Sequence, residues 1–108
     1  MAILTTAHVK GQTKEGYHGV LTGLQELIRE APGFILHTSY AYEEGWVVAE
    51  IWETKADADT FFAKYVVPNL PAGIHPKRTY QELHMLSKQH RRIQLLRRSV
   101  VYRNIVQL

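Results

Sequence analysis

"FILHTSYAYEEGWVVAEIWETKADADTFF" (Phe34–Phe62) decides how this chain folds. Two runs rich in β-branched and aromatic residues, Phe34–Tyr42 and Trp46–Glu53, flank the short turn Glu43-Glu44-Gly45. That pattern predicts an antiparallel hairpin. If Glu43 and Glu44 form the loop, His37 pairs with Glu50 and Ile35 with Trp52, all on one face. A one-residue bulge at Gly45 would undo that register. Thr54 followed by Asp57 resembles a capping box, with Asp in place of the usual Glu or Gln. The helix it opens puts Ala58, Phe61, Phe62, Tyr65 and Val66 on one side. Pro68 and Pro71 are expected to end it.

Working outward, Ile3–Val9 reads as a strand that Gly11 stops. Thr13 is the expected N-cap of a helix running to about Glu30. Its stripe is Tyr17, Val20, Leu21, Leu24, Leu27 and Ile28. Ala31-Pro32-Gly33 ends that helix. After the loop "IHPK", Arg78–Leu86 is expected to be the fourth strand. The order βαββαβ predicts an α+β, ferredoxin-like domain, two helices on one face of a four-stranded antiparallel sheet. Both strand faces carry apolar residues. Phe34, Leu36 and Tyr40 alternate with Ile35, His37 and Ala41, and Trp46, Val48 and Trp52 with Val47, Ala49 and Ile51. A sheet covered on one side alone shows a cleaner alternation. The expectation is a homodimer in which a second copy covers the open face.

At 108 residues with 45% hydrophobic content, the chain has the size and composition of one soluble domain. The absence of cysteine excludes disulfides, thiolate nucleophiles and Cys-based metal sites. No apolar run approaches a membrane span, and the start lacks a basic n-region, so a cytoplasmic protein is expected. The net charge of +3 is unevenly spread. Residues 88–108 hold six basic and no acidic side chains, whereas the first 87 hold seven basic and ten acidic ones. The boundary is therefore placed after Ser87. Residues 1–87 form the domain, and 88–108 form a basic extension that serves as an edge strand, a swapped arm or a non-native tail.

Pro32-Gly33-Phe34, His37, Gly45-Trp46-Val47-Val48, Trp52-Glu53-Thr54, Phe61 or Phe62, and Pro68-Asn69-Leu70 together resemble the antibiotic biosynthesis monooxygenase superfamily. The resemblance covers about residues 3–86. It implies a dimeric α/β barrel. It also implies a cofactor-independent monooxygenase acting on a small aromatic, quinol or polyketide-type metabolite. The superfamily also includes haem-degrading enzymes, isomerases and proteins of other roles, and fold does not fix function. The haem-degrading pattern of a first-strand Asn, a helical Trp and a following His is not met. Thr5, Thr6 and His8 occupy the first strand, Phe61 stands at the helical Trp position, and Pro71 falls where the His belongs.

His37 is the candidate catalytic residue, because an imidazole in mid-strand beside Glu50 is held oriented and basic. Trp52, Tyr40, Tyr17, Phe61 and Tyr65 are the candidate substrate-binding residues, aromatic walls and phenol donors for a flat molecule. Trp46, at the hairpin end, is expected to pack against a partner or loop. No metal-ligand spacing, Gly-rich phosphate loop or nucleophile elbow occurs, so no metal or other cofactor is expected. An RNA-binding reading would need a basic–Gly–aromatic third strand. "EGWVVAEIW" with Glu44 in the basic position does not supply one, so no nucleic-acid or membrane partner is expected. A cyclase or isomerase on an enolisable substrate would need the same groups as the oxygenase. A non-catalytic dimeric small-molecule-binding or assembly module is the competing class.

Overall fold

The computed structural model describes residues 1–88. Their order is β1 (Ile3–Lys10), α1 (Lys14–Arg29), β2 (Phe34–Tyr42), β3 (Gly45–Trp52), α2 (Lys55–Phe61) and β4 (Lys77–Glu82). The strands pair antiparallel in the order β2-β3-β1-β4, which is the ferredoxin-like sheet. The expected edge strand, arm or tail falls almost wholly outside the described residues. No helix among those described is long and apolar enough to cross a membrane.

Local chemistry sets the element ends. Thr13 accepts a hydrogen bond from the Gly16 N–H at 3.0 Å, and Thr54 accepts one from the Asp57 N–H at 3.0 Å. Both satisfy donors that a helix start leaves free. Glu15 in the first turn of α1 and Arg29 in its last turn lie with the helix dipole. Gly33 has φ of 81°, and a Cβ there would meet Asp57 Oδ2 at 2.2 Å. Its carbonyl accepts from the Glu53 N–H at 2.7 Å. Only glycine combines that left-handed backbone with so close an approach of α2.

Three expectations are corrected. The hairpin loop is Glu43-Glu44 and His37 pairs with Glu50, but the register shifts between Phe34 and Leu36. Phe34, not Ile35, therefore faces Trp52, and the irregularity sits at Ile35 rather than Gly45. This turns the Phe34 ring edge-on to Trp52 with centroids 5.5 Å apart. Second, β4 ends at Glu82 rather than Leu86. Among the described residues it pairs with β1, whose first residue Ile3 is opposite Glu82, and the Leu83 N–H donates to the Ala2 carbonyl at 2.9 Å. Third, Pro68 does not stop the helical path. After Phe61 the chain widens into a π-helical turn (Phe62–Val66) and tightens into a 3₁₀ turn (Val67–Asn69). Pro68 lies in the first residues of that turn, where an N–H has no partner to lose.

The core is Ile28, Trp52, Ala58 and Phe61, with Trp52 fully buried. Leu27 of the predicted stripe lies at the helix margin and is exposed. On the sheet face away from the helices, Leu36 and Tyr40 are 46% and 57% exposed. Val47 on that face is nevertheless buried, flanked in register by His8 and Tyr40.

Candidate functional site

A cavity of about 110 Å³ lies between the helices and the sheet. One water needs roughly 10–15 Å³ of such space, so the cavity suits a small organic molecule. Leu21 and Leu24 of α1, Phe61 and Phe62 at the end of α2, and Ala7 and Val48 of the sheet make its walls largely apolar. Tyr17, His37 and Glu50, with Thr5, Gln12 and Arg78, break that lining. An apolar hollow with a few convergent polar groups is the usual make-up of a small-molecule site. Phe62 and Val66 reach it from the π-helical turn, a local widening often found at functional sites.

Tyr17, His37 and Glu50 form one chain of hydrogen bonds. The β2–β3 register sets His37 opposite Glu50, and His37 Nδ1 lies 2.7 Å from Glu50 Oε2. Trp52 is two residues along β3 and so faces the same side as Glu50. Its Nε1–H donates to Glu50 Oε1 at 2.9 Å. Both oxygens of the carboxylate are thus engaged. Tyr17, in the first turns of α1, brings its hydroxyl to 2.6 Å from His37 Nε2. With Nδ1–H donating to the carboxylate, Nε2 of the neutral ring carries the lone pair, and the Tyr17 hydroxyl donates to it. The His37 and Glu50 side chains are each 18% exposed, which limits water's competition for these bonds. Burial raises the Tyr17 pKa. The Ser39 hydroxyl works against that rise, and the Glu50 charge adds to it. The phenol therefore stays protonated unless its proton can pass to His37.

Trp46 opens β3 on the same face. Its ring lines the cavity and stacks on Tyr17, with centroids 5.4 Å apart and planes 26° from parallel. Its buried Nε1–H has no hydrogen-bond partner among the described residues. Leaving such a donor unsatisfied typically costs about 1–3 kcal/mol.

A second polar cluster joins α2 to β4. Asp59 accepts from Lys55 at 2.9 Å, from Arg78 at 3.2 Å and from the Tyr80 hydroxyl. The Arg78 guanidinium lies 4.0 Å from the centre of the Phe62 ring and borders the cavity. Burial opposes ionisation of Asp59. The Lys55 and Tyr80 hydrogen bonds and the Lys55 and Arg78 charges outweigh it and hold the pKa below its ordinary value. Among the described residues, no three His, Asp or Glu side chains gather as a metal site would need.

The sequence candidates divide. His37, Tyr17 and Phe61 line the cavity. Trp52 lies behind the wall, fully buried, and its part is to hold Glu50. Tyr65 packs on Phe61, with centroids 5.1 Å apart, outside the lining. Tyr40 is on the opposite sheet face, because two-residue alternation puts it with Leu36 rather than with His37. Trp46 and Arg78 line the cavity without having been selected from the sequence. For Trp46 the signal was present, since its position on β3 has the parity of Glu50 and Trp52. For Arg78 there was none, because its placement depends on how β4 meets α2.

Neither a family model nor a curated protein matches the chain. Solved structures do. SnoaB, a cofactor-independent oxygenase from Streptomyces nogalater, superposes with a TM-score of 0.63 at 11% identity, over 82% of this chain and 98% of its own. A protein from Deinococcus radiodurans assigned to the antibiotic biosynthesis monooxygenases gives 0.59 at 17% identity, over 83% and 99%. The chain has the fold of the antibiotic biosynthesis monooxygenase-like proteins, over nearly their whole length.

Proposed function

We propose that this chain is a cofactor-independent oxygenase for a small aromatic, quinol or polyketide-type substrate, acting as a homodimer. The observation that carries the reading is the Tyr17–His37–Glu50 chain at the wall of a largely apolar cavity. A phenol or enol set against the Tyr17 oxygen gives up its proton there as the Tyr17 proton passes to His37 Nε2. Glu50 stabilises the imidazolium that results. The anion left in the cavity is electron-rich and little hydrated, and it reduces dioxygen directly. A ring CH₂ takes up O₂, one oxygen remains as a carbonyl and the other leaves as water. Dioxygen is the only oxidant, and the protein supplies the base, the apolar enclosure and the orientation. The relationship in fold to SnoaB is consistent with this chemistry. The dimer rests on Leu36 and Tyr40, large side chains exposed on the uncovered sheet face.

The test is oxygen uptake with a panel of hydroquinones and tricyclic phenolic ketones. His37→Ala should lower the rate by roughly 100-fold or more while circular dichroism stays unchanged. Undiminished uptake in the variant would sink the proposed base. Sedimentation at micromolar concentration should give twice the chain mass, and a single monomeric species would remove the dimer.

A further inference from the structure

One straight row of side chains crosses the sheet on the face that carries the cavity. Ser39 of β2 is paired with Val48 of β3, Val48 with Ala7 of β1, and Ala7 with Arg78 of β4. Residues paired in register share a face of the sheet, and Val48, Ala7 and Arg78 all line the cavity. Ser39, at one end, acts on the Tyr17 phenol. Two small apolar side chains make the middle, and a cation closes the other end. Strand spacing sets the Cα atoms of the two ends roughly 14 Å apart. The row is therefore an apolar floor with a polar group at each end, and the proton relay uses only one of them. We propose that Arg78 is a specificity-determining residue that holds an anionic group of the bound molecule. The preferred ligand class is a flat phenol or enol with a carboxylate at its far edge, its hydroxyl at Tyr17 and its carboxylate at Arg78.

The surroundings of the guanidinium suit that task. Its Nη1 donates to Asp59 at 3.2 Å, and the group lies over the Phe62 ring. Nε and Nη2 have no partner among the described residues, and neither is sealed from the surface. They stay reachable on a side chain only 15% exposed, where bulk water competes weakly for them. A planar guanidinium with open N–H groups matches the geometry of a carboxylate. Lys55 and Arg78 are two cations against the one carboxylate of Asp59, so the cluster keeps a surplus positive charge. Glu50 carries its negative charge two strands away on β3, beside His37. Repulsion there and attraction here turn the acid end of a ligand toward Arg78. An amide of the same shape is not sorted in this way. The place of the hydroxyl at Tyr17 rests on the oxygenase reading, but the anion-holding role of Arg78 is measurable without turnover.

The test uses the full-length chain and two probes alike in shape and different in charge, 4-hydroxyphenylacetate and 4-hydroxyphenylacetamide. The parent protein should bind the acid about tenfold more tightly than the amide. Arg78→Gln, which keeps an N–H donor and removes the charge, should abolish that preference and change amide binding by less than about twofold. In heteronuclear NMR spectra of the parent, the Nε–H resonance of Arg78, assigned through its contacts with the Phe62 ring, should move with the acid and stay in place with the amide. This arm uses the unmodified protein, so it holds even if the variant folds poorly. An unmoved resonance, equal binding of the two probes by the parent, a preference that survives Arg78→Gln, or no binding of the acid at millimolar concentration would each overturn the inference. An Arg78-dependent preference in a protein that consumes no oxygen would sink the oxygenase reading and leave the anion-holding role standing. Oxygen uptake that depends on His37, in a protein that binds acid and amide equally, would do the reverse.

Discussion

Two clusters in this molecule are built from nearly the same parts. Tyr17, His37, Glu50 and Trp52 join a phenol, a potential cation and a carboxylate across β2, β3 and α1. Lys55, Asp59, Arg78 and Tyr80 do so across α2 and β4. Their surroundings differ. The Glu50 carboxylate is 18% exposed beside a cavity, whereas Asp59 is 38% exposed and Lys55 lies in solvent. The first cluster contains an imidazole, which can both accept and donate a proton, and its hydrogen bonds fix which nitrogen faces Tyr17. The second joins the fixed charges of Lys55 and Arg78 and the Tyr80 hydroxyl to one carboxylate, and water reaches Asp59 and Lys55 more than it reaches Glu50. The same residue types therefore make a reactive relay in one place and a clamp in the other. Burial and the presence of an imidazole make the difference.

The sharpest way to break the comparison is from behind the relay. Trp52→Ala removes the buried ring that packs on Phe34 and Phe61 and also takes away the donor to Glu50 Oε1. It should destabilise the fold by about 3–5 kcal/mol, read as a shift in the urea midpoint. A loss near zero would mean that the hydrophobic centre is not where the structure puts it.

A subtler change tests the relay itself. Glu50→Gln keeps an oxygen for the Trp52 indole but presents an amide to His37 Nδ1. The stable tautomer then carries its proton on Nε2, which donates to Tyr17 instead of accepting from it. Oxygen uptake should fall by roughly 100-fold with little change in thermal midpoint. An active Gln variant would show that the direction of this hydrogen bond does not matter, and the distinction between the two clusters would collapse.

The smallest effect belongs to the exposed cluster. Asp59→Asn should cost at most about 1 kcal/mol at neutral pH and leave uptake unchanged. The pKa of Asp59 is held below its ordinary 3.8, so its contribution is present above that value and fades as pH falls through the lower folded-state value. Thermal melts should therefore converge for parent and variant in acid and separate slightly at neutral pH. A large gap would mark the cluster as a buried network rather than a screened clamp.

The sequence was informative about these clusters to different degrees. The His37–Glu50 pair was legible because it depends on one quantity, the length of the Glu43-Glu44 loop, which fixes the hairpin register. The two helix caps, the element order and the ferredoxin-like class were legible for the same reason, since each follows from periodicity or spacing within a few residues. Asp59, Arg78 and Tyr80 were not singled out. Polar groups at helix and strand surfaces have no local signature of meeting one another.

What the amino-acid sequence determined by itself was therefore local: which segments are strands and helices, and which strand residues share a face wherever no irregularity intervenes. The tertiary structure decided the rest. It shifted the strand register at Ile35, so that Phe34 and not Ile35 packs on Trp52. It placed Tyr17, twenty positions from His37 in the chain, at hydrogen-bond distance from the imidazole, laid Trp46 over that phenol and left Tyr40 on the far face. Side-chain meetings at that separation depend on how a helix packs on a sheet. That packing is set by the summed fit of many apolar contacts and by no single motif.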